Sequence, residues 1–258
     1  MNENINLIQD KISFIFSDED IVIVTKKSGI PSAPLKSSET NNALFFVSKK
    51  FPQILAVKNS YKEIEGGLLH RIDTETEGLL LFALNDFAWQ NLYNQQKENK
   101  FVKEYTAFCS KNLQNAQSLL GFPEYIYENL SENKNNILIK SKFRNYGPER
   151  KQVRPVLENE NTYAQKKASN KLYSTEILQV KKLDSVYKIN CKISSGFRHQ
   201  VRCHLAWAGF PIINDKIYNS NFVDNNSTAT TEKLQFYATK LEFYHPRTNQ
   251  LVNFSIDV

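Results

Sequence analysis

The 258 residues predict an α+β fold built on a mainly antiparallel or mixed sheet flanked by helices and loops. Three observations lead there. β-branched and aromatic runs recur from residue 12 to the end of the chain, few helical periodicities interrupt them, and the two kinds do not alternate as βαβ units. In order, residues 12–16 and 21–25 form a hairpin across Ser17-Asp18-Glu19-Asp20. A short helix spans 41–50, stopped by Pro52, and the stretch 68–84, LLHRIDTETEGLLLFAL, follows as a strand. Residues 86–99 are helical, because Ala88 and Leu92, and Trp89 and Tyr93, fall at the i, i+4 spacing that shares a face. Strand returns over 101–110. Tyr187, Ile189, Cys191 and Ile193 alternate with polar residues as a half-buried strand, broken at Ser195-Gly196. A helix over 198–208, with Val201, Leu205 and Ala208 on one face, is closed by Gly209 and Pro211. Residues 219–231 read as a polar loop before two last strands near 234–244 and 251–258. The Asn-, Glu- and Lys-rich stretches at about 113–136 and 157–170 read as surface insertions in one domain, 1–258.

Composition narrows the function. The chain is 41% hydrophobic with no apolar stretch near the length of a membrane span, and its start lacks the plan of a secretory signal, so a cytoplasmic protein is expected. Its net charge of +6 fits a polyanionic partner without establishing one. Three cysteines without CxxC spacing suggest reduced, buried thiols rather than a disulfide framework or zinc site. His199 and His204 are too far apart around a helix to share a metal, and no HExxH occurs.

The chemistry concentrates at 68–84. On an extended chain Asp73, Glu75 and Glu77 project to one side, a repulsive cluster unless cations or water meet it, and Arg71 on that side is the nearest partner for Asp73. Paired carboxylates also suggest a glycosidase, but adjacency on one strand does not establish the separation across a sugar that such chemistry needs.

His70-Arg71-Ile72-Asp73, with Thr76 and Gly78-Leu79-Leu80-Leu81-Phe82-Ala83, resembles the HRLDxxTSGLLLFA signature of the RluA family of RNA pseudouridine synthases. Residues 16–31 are similar to that family's opening segment, 103–107 to its KxYxA strand, 195–205 to TGRTHQIRVHL, and 209–218, with Asp215 and Tyr218, to GHPIxGDxxYG. These blocks stand in family order. The resemblance implies a catalytic domain with a bent, mostly antiparallel sheet, and an enzyme that isomerises uridine in rRNA or tRNA without metal or cofactor; a monomer is expected. No S4-type RNA-binding domain is expected ahead of residue 16.

By the same resemblance Asp73 is the essential carboxylate, adding covalently to base or sugar or abstracting a sugar proton; both routes stay open. Tyr105 is the tyrosine that stacks on the flipped uracil, and Arg202 the arginine that pairs with Asp73. Arg71, His70, Arg198, His199 and Gln200 are expected substrate-binding residues. Arg198 and Arg202, as i, i+4 helix neighbours, would offer one guanidinium to Asp73 and another to a phosphate. Lys26 and Lys27 read either as phosphate contacts or as a solvated pair. Glu77 and Phe197 stand where the family has serine and arginine, and Thr74 where a basic residue is common, so the rival expectation is an RNA-binding protein that kept the fold and lost turnover.

Overall fold

The computed structural model describes residues 11–60, 62–126, 130–131, 136–222 and 233–258. Its strands are β1 (Ile12–Ser17), β2 (Ile21–Lys26), β3 (Glu77–Ala83), β4 (Val102–Cys109), β5 (Ile137–Tyr146), β6 (Gln152–Val156), β7 (Tyr173–Leu183), β8 (Val186–Ile193), β9 (Phe236–Tyr244) and β10 (Leu251–Ser255). The α-helices are α1 (Ala43–Ser48), α2 (Asp86–Lys97), α3 (Asn115–Ser118), α4 (Thr162–Lys167) and α5 (Gln200–Trp207). The elements form two compact units, residues 1–103 with 237–258, and residues 104–236.

In the first unit the strand order is β1-β2-β3-β9, with β10 on β9. β3 runs parallel to β9 and the other pairs are antiparallel, the mixed sheet expected. β3 is apolar after Glu77 because it is central: every residue from Gly78 to Ala83 is buried. Gly78 answers a close approach. Its φ is +136°, and a Cβ there would lie 2.3 Å from the Ala238 carbonyl oxygen of β9. Ile21, Ile23, Leu79 and Leu81 pack with Leu92 of α2, Phe101, Leu241 and Phe243. α2 is capped by Asn85, whose side chain accepts from the Ala88 N–H, and its buried Trp89 stacks on Tyr93 at 4.9 Å.

In the second unit the order is β4-β8-β7-β5-β6, and α5 packs with Phe143 of β5 and Val153 of β6 through Cys203 and Ala206. All eight residues of α5 are buried, so its interior polar groups need internal partners. The helix ends in a Schellman turn: Phe210 N–H donates to Leu205 O at 2.9 Å and Gly209, at φ +83°, donates to Ala206 O at 3.2 Å. Cys109, Cys191 and Cys203 are buried free thiols, and burial pushes all three upward from the ordinary thiol range.

Several expectations need correction. Residues 69–76 are not strand: Leu68 makes one bridge to Phe82, and the Thr76 N–H donates to Asp73 O at 3.0 Å, closing a turn. Asp73, Glu75 and Glu77 therefore do not alternate on one strand face. The helix expected from 198 begins at Gln200, because His199 sits at φ +54° in the left-handed region and cannot lie inside it. Residues 113–136 are not merely surface. Asn115 is fully buried, donating to Ala206 O and Tyr218 O, and Trp207 donates to Pro123 O. Its residues 127–129 and 132–135 lie outside the described residues, as do 223–231 of the expected polar loop. Residues 157–170 contain α4, capped by Asn161 and anchored by buried Ala164.

Candidate active site

Asp73 belongs to the first unit, half-buried at the start of its turn. What fixes that turn is the segment after β2. The Lys26 ammonium is fully buried and donates to Thr76 O at 2.7 Å and to Thr74 O and Lys27 O at 3.1 Å. Gly29 N–H also donates to Thr74 O, Ser28 Oγ to Glu75 O at 2.8 Å, and Ser32 Oγ to Ile72 O at 2.8 Å. The carbonyls on both sides of Asp73 are thus held from one short stretch, which fixes where its carboxylate starts. Burial pushes Lys26 down to about 7, against the charges of Asp73 and Glu77, which favour its ammonium.

Neither reading of the lysine pair survives at Lys26: a side chain spent on three carbonyls contacts no phosphate and is not solvated. Lys27 is half-exposed and pairs with Glu77 at 2.9 Å. Arg71 does not turn to Asp73 as its nearest partner. It is exposed and lies 3.4 Å from Glu65. Among the described residues the buried ring nitrogens of His70 have no partner in hydrogen-bond geometry, and the ring lies 5.4 Å from Phe101. Burial and then the Lys103 charge hold His70 down at about 3, although the Leu79 backbone pulls the other way. A neutral ring with buried nitrogens is a poor direct contact for RNA.

Tyr105 and Arg202 belong to the second unit. Tyr105, on β4, is 7% exposed and its ring stacks on Phe236, 5.1 Å apart at 14°. Arg202, on α5, is 2% exposed and meets Asp215 side-on, Nε to Oδ2 and Nη2 to Oδ1, both at 2.8 Å. Asp215 was visible in the sequence only as part of a motif block; its partnership with Arg202 was not.

The neighbours of Arg202 differ from the helix face anticipated. Arg198 precedes α5, and its exposed guanidinium donates to Asn145 Oδ1 and Gln152 O at 3.1 Å and to Arg150 O, tying the β5–β6 hairpin. Gln200 is buried, donating to Ser174 O and Thr175 Oγ1 and accepting from Phe197 N–H. Its amide is occupied internally, which removes it as a direct RNA contact. His199 Nδ1 lies 3.0 Å from the Tyr218 hydroxyl. Phe197 stacks on Phe143, 5.2 Å apart at 9°, so its partly buried ring packs against the apolar core where a cation was usual. Among the described residues no group of three or more His, Cys, Asp or Glu could hold a metal, and no helix is long and apolar enough to cross a membrane.

Solved structures share this fold. The fold is that of human RNA Pseudouridylate Synthase Domain Containing 4 (TM-score 0.64, 13% identity, covering 100% of this chain and 92% of that one) and Domain Containing 1 (TM-score 0.62, 17% identity, 96% and 84%). A family model described as RNA pseudouridylate synthase matches residues 20–207. The chain belongs to that family, in its RluA-type group. Its relatives include an uncharacterised RNA pseudouridine synthase of Aquifex aeolicus, 26% identical over 95% of this chain and 69% of that one. The ribosomal large subunit pseudouridine synthase C of Buchnera aphidicola is also 26% identical, over 98% of this chain and 68% of its own length.

Proposed function

We propose that this chain isomerises uridine to pseudouridine in structured RNA with Asp73 as the essential carboxylate and Tyr105 and Arg202 as its helpers. The observation that carries the reading is the tied turn: the family-matched segment holds Asp73 half-buried on backbone whose carbonyls are fixed by Lys26, Ser28, Gly29 and Ser32. Such fixation suits a group that must meet one atom of an extruded nucleotide. The carboxylate adds to base or sugar, or takes a sugar proton, while the glycosidic bond breaks and the base turns to rejoin through C5. Tyr105 offers an aromatic shelf already flattened against Phe236. Arg202 supplies a permanent positive charge.

The departures from the family pattern lend no support to the inactive RNA-binding reading. Glu77 is absorbed by Lys27 and the Ser28 N–H, and Phe197 by the core, so neither leaves an unpaired group. Ribosomal RNA is the favoured substrate class because relatives are named for the large ribosomal subunit, with tRNA as the second; a cytoplasmic monomer remains part of the proposal. The test is tritium release from C5-labelled total RNA of a strain lacking the gene. Wild type should release label and Asp73→Ala should not. RNA binding with no release by wild type would establish the binding-protein reading instead.

A further inference from the structure

The chain has seven arginines, and three of them meet carboxylates: Arg71 lies on Glu65, Arg202 on Asp215 and Arg247 on Asp20. The other four, Arg144, Arg150, Arg154 and Arg198, gather on the β5–β6 hairpin and, among the described residues, pair with no carboxylate. We propose that this hairpin is a binding site for RNA backbone phosphates outside the target nucleotide, formed by these four guanidiniums; this rests on the reading of the chain as an enzyme that acts on RNA.

Arg144 and Arg154 stand directly opposite each other in the β5–β6 register, a like-charge pair that destabilises the ladder unless an anion meets it. Both guanidiniums lie against the Tyr146 ring, 4.9 and 4.6 Å from its centroid. Arg154 is buried and spends its bonds on three neutral acceptors, Leu120 O, Val153 O and Gln152 Oε1. Burial, and less strongly the Arg144 charge, pushes it down from the ordinary range, but a guanidinium stays protonated at neutral pH. The hairpin therefore holds a charge that neither water nor a carboxylate cancels, which a merely solvated basic face would not do. Arg150 and Arg198 are exposed at the tip. Among the described residues Arg198 makes all its bonds through Nη2, to Asn145 Oδ1, Arg150 O and Gln152 O, which leaves Nε and Nη1 for an oxyanion. Those bonds pin a tip in which Glu149 and Arg150 are left-handed in succession, at φ +52° and +56°, a conformation such residues rarely adopt. The Glu149 carboxylate is taken by Lys151 at 2.6 Å.

Binding of the full-length protein to ribosomal RNA from a strain lacking the gene is measured on filters over a range of salt. The Arg144→Gln/Arg150→Gln double variant should bind about tenfold more weakly, with the slope of log affinity against log salt lower by about two, one for each lost contact. Lys181→Gln/Lys182→Gln removes the same charge from exposed positions on β7 and should change affinity by less than about twofold. Unchanged affinity and slope in the folded arginine double variant overturns the inference. Equal losses in the two double variants do so as well, because they mark an effect of net charge alone. If circular dichroism shows that the arginine double variant does not fold, Arg150→Gln at the exposed tip decides, with an unchanged slope again overturning it. Polyglutamate that displaces the RNA as readily as competitor RNA of equal charge would assign the hairpin to an acidic protein segment, which also overturns it. Tritium release is followed on the same samples. A wild type that binds RNA through these arginines and releases no label removes the proposed reaction and leaves the hairpin site standing.

Discussion

Replacing Lys26 by methionine keeps the aliphatic stem but removes the ammonium that spans Thr74 O, Thr76 O and Lys27 O. Thr74 O retains the Gly29 N–H, whereas the other two carbonyls lose this donor. A buried acceptor stripped of its partner costs about 1–3 kcal/mol, so two cost about 2–6 kcal/mol. Part of that is offset because a buried charge no longer has to be desolvated, leaving a net loss of about 2 kcal/mol near neutral pH. With a urea m-value of about 2 kcal/mol/M, the midpoint falls by about 1 M. The chain has two tryptophans, one in each unit, so a Trp207→Phe background lets Trp89 fluorescence report the first unit.

The pH dependence has a definite sign. Lys26 has its folded value near 7, below the ordinary 10.5. Between those limits the unfolded chain holds a proton that the folded chain has lost, so wild-type stability rises with pH and is lost again as pH falls through 7. The methionine variant lacks this rise, and its deficit should widen from about pH 6 to about pH 9. Because the same bonds hold the turn carrying Asp73, kcat should fall more than RNA affinity. A midpoint within about 0.2 M of the parent at both pH values would show that the turn is held without Lys26.

Three further outcomes follow from other features. His204 is fully buried between Ser141 and Thr175 hydroxyls, and burial holds it down at about 3 against an ordinary 6.5. The unfolded chain binds its proton first, so stability should fall as pH drops from 6.5 toward 3, by on the order of 1 kcal/mol per unit; His204→Gln should flatten that slope in acid unfolding followed by circular dichroism. Gly78→Ala would thrust a Cβ against Ala238 backbone at a φ that side chains avoid, a loss of about 3–5 kcal/mol seen as a collapse of the urea midpoint read through Trp89; an unchanged midpoint would contradict the close β3–β9 approach. RNA affinity should weaken steeply with salt as Lys and Arg contacts release counterions, and a flat plot of log affinity against log salt would count against RNA as substrate.

Much of the fold is legible because burial imposes periodicity. The alternation of β8, the apolar runs of β2 and β3 and the capped face of α2 are each short-range consequences of which side meets the core. What escaped reading is long-range or conformational. The turn at residues 73–76 is held by bonds to backbone carbonyls from a lysine 48 to 50 residues earlier, and carbonyls carry no sequence signal. Nothing in the letters marks His199 as left-handed, so the sequence pattern alone extends α5 two residues beyond its true start at Gln200. The Arg202–Asp215 pair joins a helix to a turn, a spacing with no period, and Asn115 hid in a polar stretch because its amide works internally.

The first unit is discontinuous, closed by residues 237–258 after the whole second unit has intervened. During synthesis β3 therefore leaves the ribosome more than 150 residues before β9, the strand that pairs with its Gly78 edge. Until then a nascent chain exposes a sticky, unprotected ribbon, a target for chaperones and a seed for aggregation. Residues 104–236 need not wait, so slowing elongation late in the message should harm the yield of the first unit far more than that of the second.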